Sequence, residues 1–562
     1  MSSQEGTCQG DPLAMAIYAA AITPLIKSLG EACPSTTQCW YADDDGAADN
    51  LRTLRKYWDE LLTLGPGYGY YPNAIKTILL TRPELHTEAD HLFSGTGVTI
   101  RSDGCRYLGG GIGTAAFCCS YLESLVKKWR EQIRVLCGFA ETQPHAAYTV
   151  FIKGLAAQWK YHIRTTECPP DIFSTLDLLI NTALLPAFTG REFTPDQPER
   201  TLLSLPARLG GLAIPSLVGT ATSEFKASQT VTLPLVELIA PNDLQSDDTL
   251  AERLKSAAST VVRTIAVCRA EKKKERCAKE RAMQGTVEAL KNSVSKSQAF
   301  LLNIAEEKGV SSWLTCDPSL EFKTVLNKSD FRDAVCLRYG FPLDGLPSDC
   351  VCGHELTTSH ALSCPSGGYP TARHNEVRDV IADAMRSVCR DVETEPELLP
   401  FDNEDLAGRT TNRSLDARVD ICVPGFWTRQ QPAYFDIRVT HTEAGLMSVK
   451  EARKHLERHE REKKRQYCER VNVIDRGTFT PLVFSTSGMA GQECGRLLKA
   501  IAADIVEKNS DLHYSHVLNR LRCKISFCLL RWNITCFRGC RASYKRRSTG
   551  FVTECRQTAS TS

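Results

Sequence analysis

Residues 414–423 and 433–439 read SLDARVDICV and AYFDIRV, and these two runs decide the fold of the second half of the chain. The first run alternates apolar and polar residues, which is typical of a half-buried strand. In the second, apolar residues surround Asp436, as in a buried strand. Paired antiparallel, the strands would set Asp420 and Asp436 on one face, within reach of one metal ion. A buried carboxylate needs a counter-ion or a metal, which disfavours the alternative of two surface acids.

The neighbouring segments predict an α/β domain, because one helix, three strands, a helix, a strand and a helix follow one another. A polar loop is expected over 401–414, and a helix rich in Arg and Cys from residue 512 onward. The predicted helices cover 374–388, 448–471 and 491–508, and the predicted strands cover 392–398, 416–423, 433–440 and 481–485.

A cluster of cysteine and histidine precedes this domain. Cys350, Cys352, His360 and Cys364 offer three thiolates and one imidazole, a full set for tetrahedral Zn²⁺. The gap between Cys350 and Cys352 is shorter than usual, and His354 is an alternative ligand. Because the protein would fill all four positions, we expect zinc to staple this loop and not to catalyse a reaction.

The first half of the chain carries another pair of acids. Residues 41–44 read YADD between two strand-like runs, so Asp43 and Asp44 are expected at the turn. Nucleotidyl transfer by two metal ions needs carboxylates that bridge ions about 4 Å apart. The sequence QGDPL precedes this run at residues 9–13, and NAIK and YLGG follow at 73–76 and 107–110.

This order of motifs resembles the reverse transcriptases of non-LTR retrotransposons. The resemblance implies that Asp43 and Asp44 are catalytic and hold Mg²⁺ or Mn²⁺. It also implies that the nucleotide- and primer-binding positions are Gln9, Gly10, Lys76, Leu108 and Gly109. The family's first catalytic Asp lies upstream of the QGDPL turn, and this chain begins too late to include it. We therefore expect that this chain alone does not polymerise DNA and that its acids mark its ancestry.

Residues 371–510 resemble the PD-(D/E)xK restriction-like endonucleases, which such retrotransposons carry behind a Cys-Cys-His-Cys knuckle. The resemblance implies that Asp420 and Asp436 hold Mg²⁺ or Mn²⁺. Arg438 replaces the family's lysine, and arginine stays charged and cannot act as a base near neutral pH. These nucleases often place the lysine on the following helix in a Lys-x-x-Tyr pattern. Lys464 and Tyr467 match that spacing, with Lys463 as the alternative.

The run RHN at residues 373–375 also resembles a motif of these nucleases. His374 or Asn375 is expected to cap the first helix of the domain. Glu376 and Glu395 are alternatives for completing the metal shell.

The chain is too long for one core at 562 residues. The predicted fold class is multidomain, with α/β and α parts. Its predicted parts are a partial reverse-transcriptase palm (1–112), a helical thumb or connection (113–235), a basic helical linker interrupted near Gly285 (236–330), a zinc knuckle (345–370), a restriction-like nuclease (371–510) and a basic helical tail (511–562).

Composition and charge restrict the compartment and the partners. The 24 cysteines are scattered, and no secretory leader is visible, so we expect an intracellular protein, nuclear or cytoplasmic and not secreted. The apolar run 12–29 contains Pro24 and Lys27 and is expected to be a buried helix and not a membrane span. The net charge is only +2, but basic runs lie near the acidic sites, so DNA and RNA are the expected partners. The oligomeric state stays open.

These features predict a retrotransposon-derived protein whose intact activity is a metal-dependent DNA endonuclease. In a complete element, its nick would prime reverse transcription on the target DNA. The alternative is a non-catalytic remnant that binds nucleic acid. Loss of Asp420, Asp436 or Lys464 would abolish cleavage in the first case and leave binding intact in the second.

Overall fold

The computed structural model describes residues 11–194, 197–239, 250–399, 406–407, 411–412, 418–442 and 448–540. Within them the chain is a mixture of helix and small sheets, as the sequence predicts. The helices are α1 Ala14–Ala32, α2 Leu51–Leu64, α3 His86–Leu92, α4 Ala115–Ala140, α5 Pro144–Val150, α6 Ala156–Thr165, α7 Ser174–Leu179, α8 Leu185–Thr189, α9 Pro198–Ser204, α10 Leu217–Ile239, α11 Leu250–Ser293, α12 Lys296–Ala305, α13 Lys328–Tyr339, α14 Thr358–Ser363, α15 Tyr369–Arg386, α16 Val449–Glu469, α17 Gln492–Lys508 and α18 Tyr514–Arg538. The strands are β1 Thr37–Tyr41, β2 Asp44–Ala48, β3 Ile78–Leu80, β4 Thr99–Arg101, β5 Gly104–Tyr107, β6 Gly110–Gly113, β7 Glu393–Thr394, β8 Leu406–Ala407, β9 Thr411–Asn412, β10 Ile421–Pro424, β11 Pro432–Thr440 and β12 Thr478–Ser485.

The chain divides into two compact units, each built from several segments. The first unit falls within Met1–Arg134, Lys153–Ile180 and Pro215–Met283, and the second within Val135–Ile152, Asn181–Ile214 and Gln284–Ser562. One helical stretch of the described residues, Pro170–Thr189, has the length and hydropathy of a membrane span. Half of it is buried inside the protein, as core helices often are.

In the first unit, α1 and α2 pack together, and the unit also contains three small pairs of strands. Leu25 and Leu29 of α1 meet Trp58 and Leu61 of α2 in its core. The pairs are antiparallel β1–β2, parallel β3–β4 and antiparallel β5–β6. The apolar spacing over residues 47–64 predicts a helix, but α2 begins only at Leu51. Ala47 pairs in β2, and the side chain of Asn50 caps α2.

The long helix α11 runs through Gly285 without the predicted interruption and ends at Ser293. A single glycine costs a helix only about 1 kcal/mol. Ser295 then begins α12 with a capping box. The break therefore lies about ten residues later than the sequence suggests.

The second unit is organised around a four-stranded sheet in the order β12, β11, β10, β7. Strand β11 pairs antiparallel with β10 and parallel with β12. On one face, Phe435 and Ile437 pack into a core with α15, α17 and α18. On the other face, Tyr434 packs against Tyr467 of α16.

Two segments of this unit differ from the prediction. The strand expected over 392–398 shrinks to β7, because Glu395 has a left-handed backbone with φ +56°. The helical part of the expected tail, α18, is a core helix whose apolar face is buried against α15 and α17. Leu521, Ile525 and Leu529 lie on that face.

Candidate nuclease and zinc sites

The first site is built by β10 and β11. Ile421 lies opposite Phe435, so the next position of the register places Asp420 opposite Asp436. The Asp420 backbone N–H donates to the carbonyl of Phe435 (3.1 Å), and the Asp420 carboxylate accepts from the backbone N–H of Ile437 (2.5 Å). Asp420 is 9% exposed and Asp436 is 5% exposed. The strand pairing thus brings two buried carboxylates together, as expected from the alternating pattern.

His374 joins this pair from α15. Its Nε2 lies 2.8 Å from Oδ1 of Asp420. Burial alone would lower the pKa of His374, but the Asp420 carboxylate, helped by Asp436, raises it above its usual value. His374 does not cap its helix, which begins at Tyr369 with Gly368 as the N-cap residue. Its role is to hold Asp420, a contact across 46 positions that no local pattern indicates.

Lys463 of α16 reaches the other carboxylate. Its Nζ lies 2.7 Å from Oδ2 of Asp436, as an ion pair without hydrogen-bond geometry. The ammonium also lies 5.3 Å from the centre of the Tyr467 ring, one turn further along the helix. Burial raises the pKa of Asp436 to about 6; Lys463 counteracts this effect and the charge of Asp420 adds to it. Among the described residues, the Lys463 ammonium is therefore the charged partner of this Asp436 oxygen.

The structure brings Lys463, and not Lys464, to the acids. Lys464 turns to Glu493, with Nζ 2.5 Å from Oε1, and its side chain is 43% exposed. Tyr467 is buried and packs on Phe479 with ring centres 5.1 Å apart, so it supports the core. Arg438, the residue in place of the family's lysine, pairs with Glu462 at 3.3 Å.

The two acids proposed to complete the metal shell have other partners. The indole N–H of Trp532 donates to Glu376. The side chain of Glu395 accepts from Arg378, while its backbone N–H donates to the carbonyl of Asp420. The described residues therefore concentrate the site on His374, Asp420, Asp436 and Lys463.

The second site is the cysteine and histidine cluster. The four candidate ligand atoms of Cys350, Cys352, His360 and Cys364 all lie within 4.8 Å of one another. Tight local bonds place them: the Cys350 N–H donates to the carbonyl of His354, and the Gly353 N–H donates back to that of Cys350. His360 lies in the first turn of α14, where its backbone N–H donates to the side chain of the N-cap residue Thr357.

The distances in this cluster suit a zinc ion. Ligands at about 2.3 Å from a tetrahedral zinc lie about 3.8 Å apart. Sγ of Cys364 lies 3.9 Å from Sγ of Cys350 and 3.8 Å from Sγ of Cys352, and Sγ of Cys352 lies 3.2 Å from Nε2 of His360. Burial raises the pKa of Cys364, but hydrogen bonds with Ser366 bring that pKa down to about 7. His354, the alternative ligand, stacks on the His360 ring at 5.4 Å, outside this set.

The acids of the first unit lie at a hairpin, as predicted. Tyr41 pairs with Asp44, Ala42 adopts φ +54° in the turn, and both Asp43 and Asp44 are exposed. The next acid, Asp45, is the one that sequence reasoning missed: both its carboxylate oxygens lie 3.1 Å from the hydroxyl of Tyr57. Burial raises the pKa of Asp45 to about 6, although the bond from Tyr57 acts against it.

The remaining predicted positions are Gln9, Gly10, Lys76, Leu108 and Gly109. Gln9 and Gly10 lie outside the described residues. Lys76 is exposed in a turn held by Asn73, whose side chain accepts from the backbone of Lys76 at 3.3 Å. Leu108 and Gly109 form the turn between β5 and β6, both with positive φ. No described contact joins these positions to Asp43 or Asp44.

No protein-family model matches the sequence, and no curated protein matches it either. What indicates a function is therefore the chemistry of the two sites in the second unit.

Proposed function

We propose that the second unit is a Mg²⁺- or Mn²⁺-dependent DNA endonuclease of the restriction-like type, in a chain derived from a retrotransposon. The observation that carries the proposal is the meeting of Asp420, Asp436 and Lys463 at paired strands and the helix that follows them. Two acids and a lysine are the groups that a PD-(D/E)xK nuclease uses. They lie on β10, β11 and α16, within the element order α15, β7, β8, β9, β10, β11, α16, β12, α17. The sequence pattern predicts such an α/β order.

The donors present fit a hard divalent cation. Mg²⁺ and Mn²⁺ prefer carboxylate oxygens, and Asp420 and Asp436 supply two buried carboxylates. The Lys463 ammonium lies 2.7 Å from Oδ2 of Asp436, and a carboxylate oxygen has a second lone pair that can bind a cation. A bound ion would polarise the phosphate and lower the pKa of a water molecule.

The side chains of this chain divide the remaining work. Asp420 and Asp436 would hold the ion, and His374 fixes the orientation of Asp420. Lys463 places a positive charge where the attacked phosphate gains negative charge, and it can orient a water molecule for attack. A preorganised charge in a buried setting acts more strongly than one in water.

The zinc cluster would supply a rigid knuckle ahead of the nuclease. Its chemistry favours a structural ion, because three thiolates and one imidazole fill a tetrahedral shell. We propose that Asp43 and Asp44, exposed at the β1–β2 hairpin, belong to a module related to the reverse transcriptases. Neither the knuckle nor the hairpin is needed for the nuclease proposal itself.

Plasmid nicking by the full chain, with Mg²⁺, Mn²⁺ or EDTA, tests the proposal. We expect conversion of supercoiled to open-circular DNA only with a divalent ion. A gel shift on the same preparations measures DNA binding and distinguishes a nuclease from a protein that only binds DNA. Binding without metal-dependent nicking would favour a non-catalytic nucleic-acid-binding remnant.

The zinc knuckle gives a prediction of its own. Cys364→Ser is expected to lower zinc affinity by more than about 100-fold, because even outer-shell partners of a metal contribute 10- to 100-fold. Metal analysis after dialysis against a competing chelator would measure this loss. Cys277→Ser, at an exposed cysteine, is the matched control and should leave the zinc content unchanged. Equal zinc in both variants would contradict the assignment.

The raised pKa of Asp436 predicts how nicking depends on pH. Below about pH 6 the Asp436 carboxylate takes up a proton and can no longer bind the cation. At subsaturating Mg²⁺ we expect the nicking rate to fall about tenfold per pH unit below that value. Raising the Mg²⁺ concentration should move the midpoint to lower pH, since metal and proton compete. A rate that stays flat from pH 5 to 7.5 would exclude Asp436 as a ligand.

A further inference from the structure

A pair of histidines on α16 lies beyond the nuclease site. His455 and His459 are one turn apart and both face Thr440 of β11. Thr440 lies four positions after Asp436, on the same face of the strand. His459 is buried at 6% exposure. The proposed nuclease chemistry uses none of these three residues.

The three side chains present converging donor atoms. The two Nε2 atoms lie 3.1 Å apart, and the Thr440 hydroxyl oxygen is 3.0 Å from Nε2 of His455 and 3.5 Å from that of His459. Ligands at about 2.0 Å from a tetrahedral metal lie about 3.3 Å apart. The triangle therefore has the dimensions of one face of a metal tetrahedron.

The ring geometry does not fit a simple head-to-head hydrogen bond between the two imidazoles. The ring centres are only 4.4 Å apart and the planes are perpendicular, at 89°. In a linear N–H···N bond the centres would be separated by much more than the nitrogens. A separation of 4.4 Å is therefore too short for a linear N–H···N bond between the two rings.

An outer contact completes the arrangement. Nδ1 of His459 lies 2.8 Å from a carboxylate oxygen of Glu462, the partner that a metal-bound imidazole usually has. Arg438 and Arg458 add positive charge nearby, which Glu462 offsets. Arg458 also lies 2.9 Å from Nδ1 of His455. The Arg458 side chain is 61% exposed and lies 3.8 Å from Glu462. It can therefore move away from the His455 ring and pair with Glu462.

We propose that His455 and His459, with Thr440 or water, form a second transition-metal site that binds Zn²⁺ through two imidazoles and clamps α16 onto β11. Imidazole nitrogens suit zinc and its neighbours, whereas Mg²⁺ prefers oxygen. The site is separate from the cysteine cluster and does not depend on the nuclease proposal.

Zinc counting on the full chain tests this site. The probe is Zn²⁺ alone, followed by gel filtration and metal analysis, for wild type and for His455→Gln/His459→Gln. Glutamine keeps a polar side chain beside Thr440 but removes both imidazoles. We expect the double variant to hold one zinc fewer per chain than wild type. Thermal melting without metal checks that both are folded.

The matched control is His513→Gln/His516→Gln, an exposed histidine pair at the start of α18 with ring centres 5.5 Å apart. It should hold as many zinc ions as wild type. Glu462→Gln should weaken the site about 10- to 100-fold. The proposal is overturned if the His455/His459 variant binds as much zinc as wild type, which would leave the pair as two hydrogen-bonded core histidines.

Discussion

Asp436→Asn is expected to abolish metal-dependent nicking, with a loss well beyond about 100-fold, the upper range for losing an outer-shell partner of a metal. The substitution keeps the shape of the side chain and removes the charge that faces the cation. DNA binding without metal should persist, because a carboxylate does not attract the phosphate backbone and the basic runs of the chain are unchanged. The measurements are nicking at saturating DNA and a gel shift on the same preparations.

The same substitution should not unfold the protein. Burial raises the pKa of Asp436 to about 6, so the folded state holds the proton more tightly than the unfolded chain does. The stability contributed by this protonated form is present at low pH and is lost as the pH rises through about 6. At pH 7.5 Asp436 is charged in the folded state, and asparagine removes the free-energy cost of burying that charge. We expect the free energy of unfolding without metal to change by less than about 2 kcal/mol, because relief of this cost and the loss of the partner of Lys463 oppose each other.

Asp383→Asn is the matched control for this substitution. Asp383 lies on α15 of the same unit, is 69% exposed and pairs only with Arg386 in the described structure. It should nick and unfold like wild type. If Asp436→Asn nicks DNA at a rate close to that of the control, the metal does not bind at Asp436 and the nuclease proposal fails.

Local sequence patterns predicted much of this site because local forces build it. The apolar run around Asp436 folds as β11, and the antiparallel partner strand sets Asp420 beside it. Ser448 and Glu451 begin α16 with a capping box, one residue after the predicted start. The four ligands of the cysteine cluster lie within 14 positions, so two short turns suffice to collect them.

Sequence patterns could not predict two kinds of contact: those between residues far apart in the chain, and those that depend on which side of a helix faces the sheet. His374 reaches Asp420 across 46 positions, which only the packing of α15 on the sheet determines. On α16, moving from residue 463 to 464 turns a side chain by about 100°. The Lys-x-x-Tyr spacing does not say which of the two lysines faces the sheet. The buried positions on α16 identify the lysine that faces the sheet. Lys463 lies at helical spacing from Leu456 and Tyr467, on the buried side of the helix that also carries Ala452.

Lys463→Met should therefore lower the nicking rate about 10²- to 10³-fold, the usual cost of removing one preorganised group that stabilises developing charge. Lys464→Met should change it by less than about threefold, because that lysine turns to Glu493 near the surface. Methionine keeps most of the apolar stem in both variants. Saturating DNA removes differences that come only from weaker binding of a basic helix.

A shift of the pH profile separates a direct role of Lys463 from a structural one. Lys463 counteracts the burial that raises the pKa of Asp436, so its loss should move the midpoint of metal binding above pH 6. Mn²⁺ binding to the full chain as a function of pH would measure this shift. Lys464→Met has no such charge beside Asp436 and should keep the wild-type midpoint. Equal nicking losses in the two variants, or a larger loss at Lys464, would show that the Lys-x-x-Tyr spacing is the better guide and that α16 turns differently in the active protein.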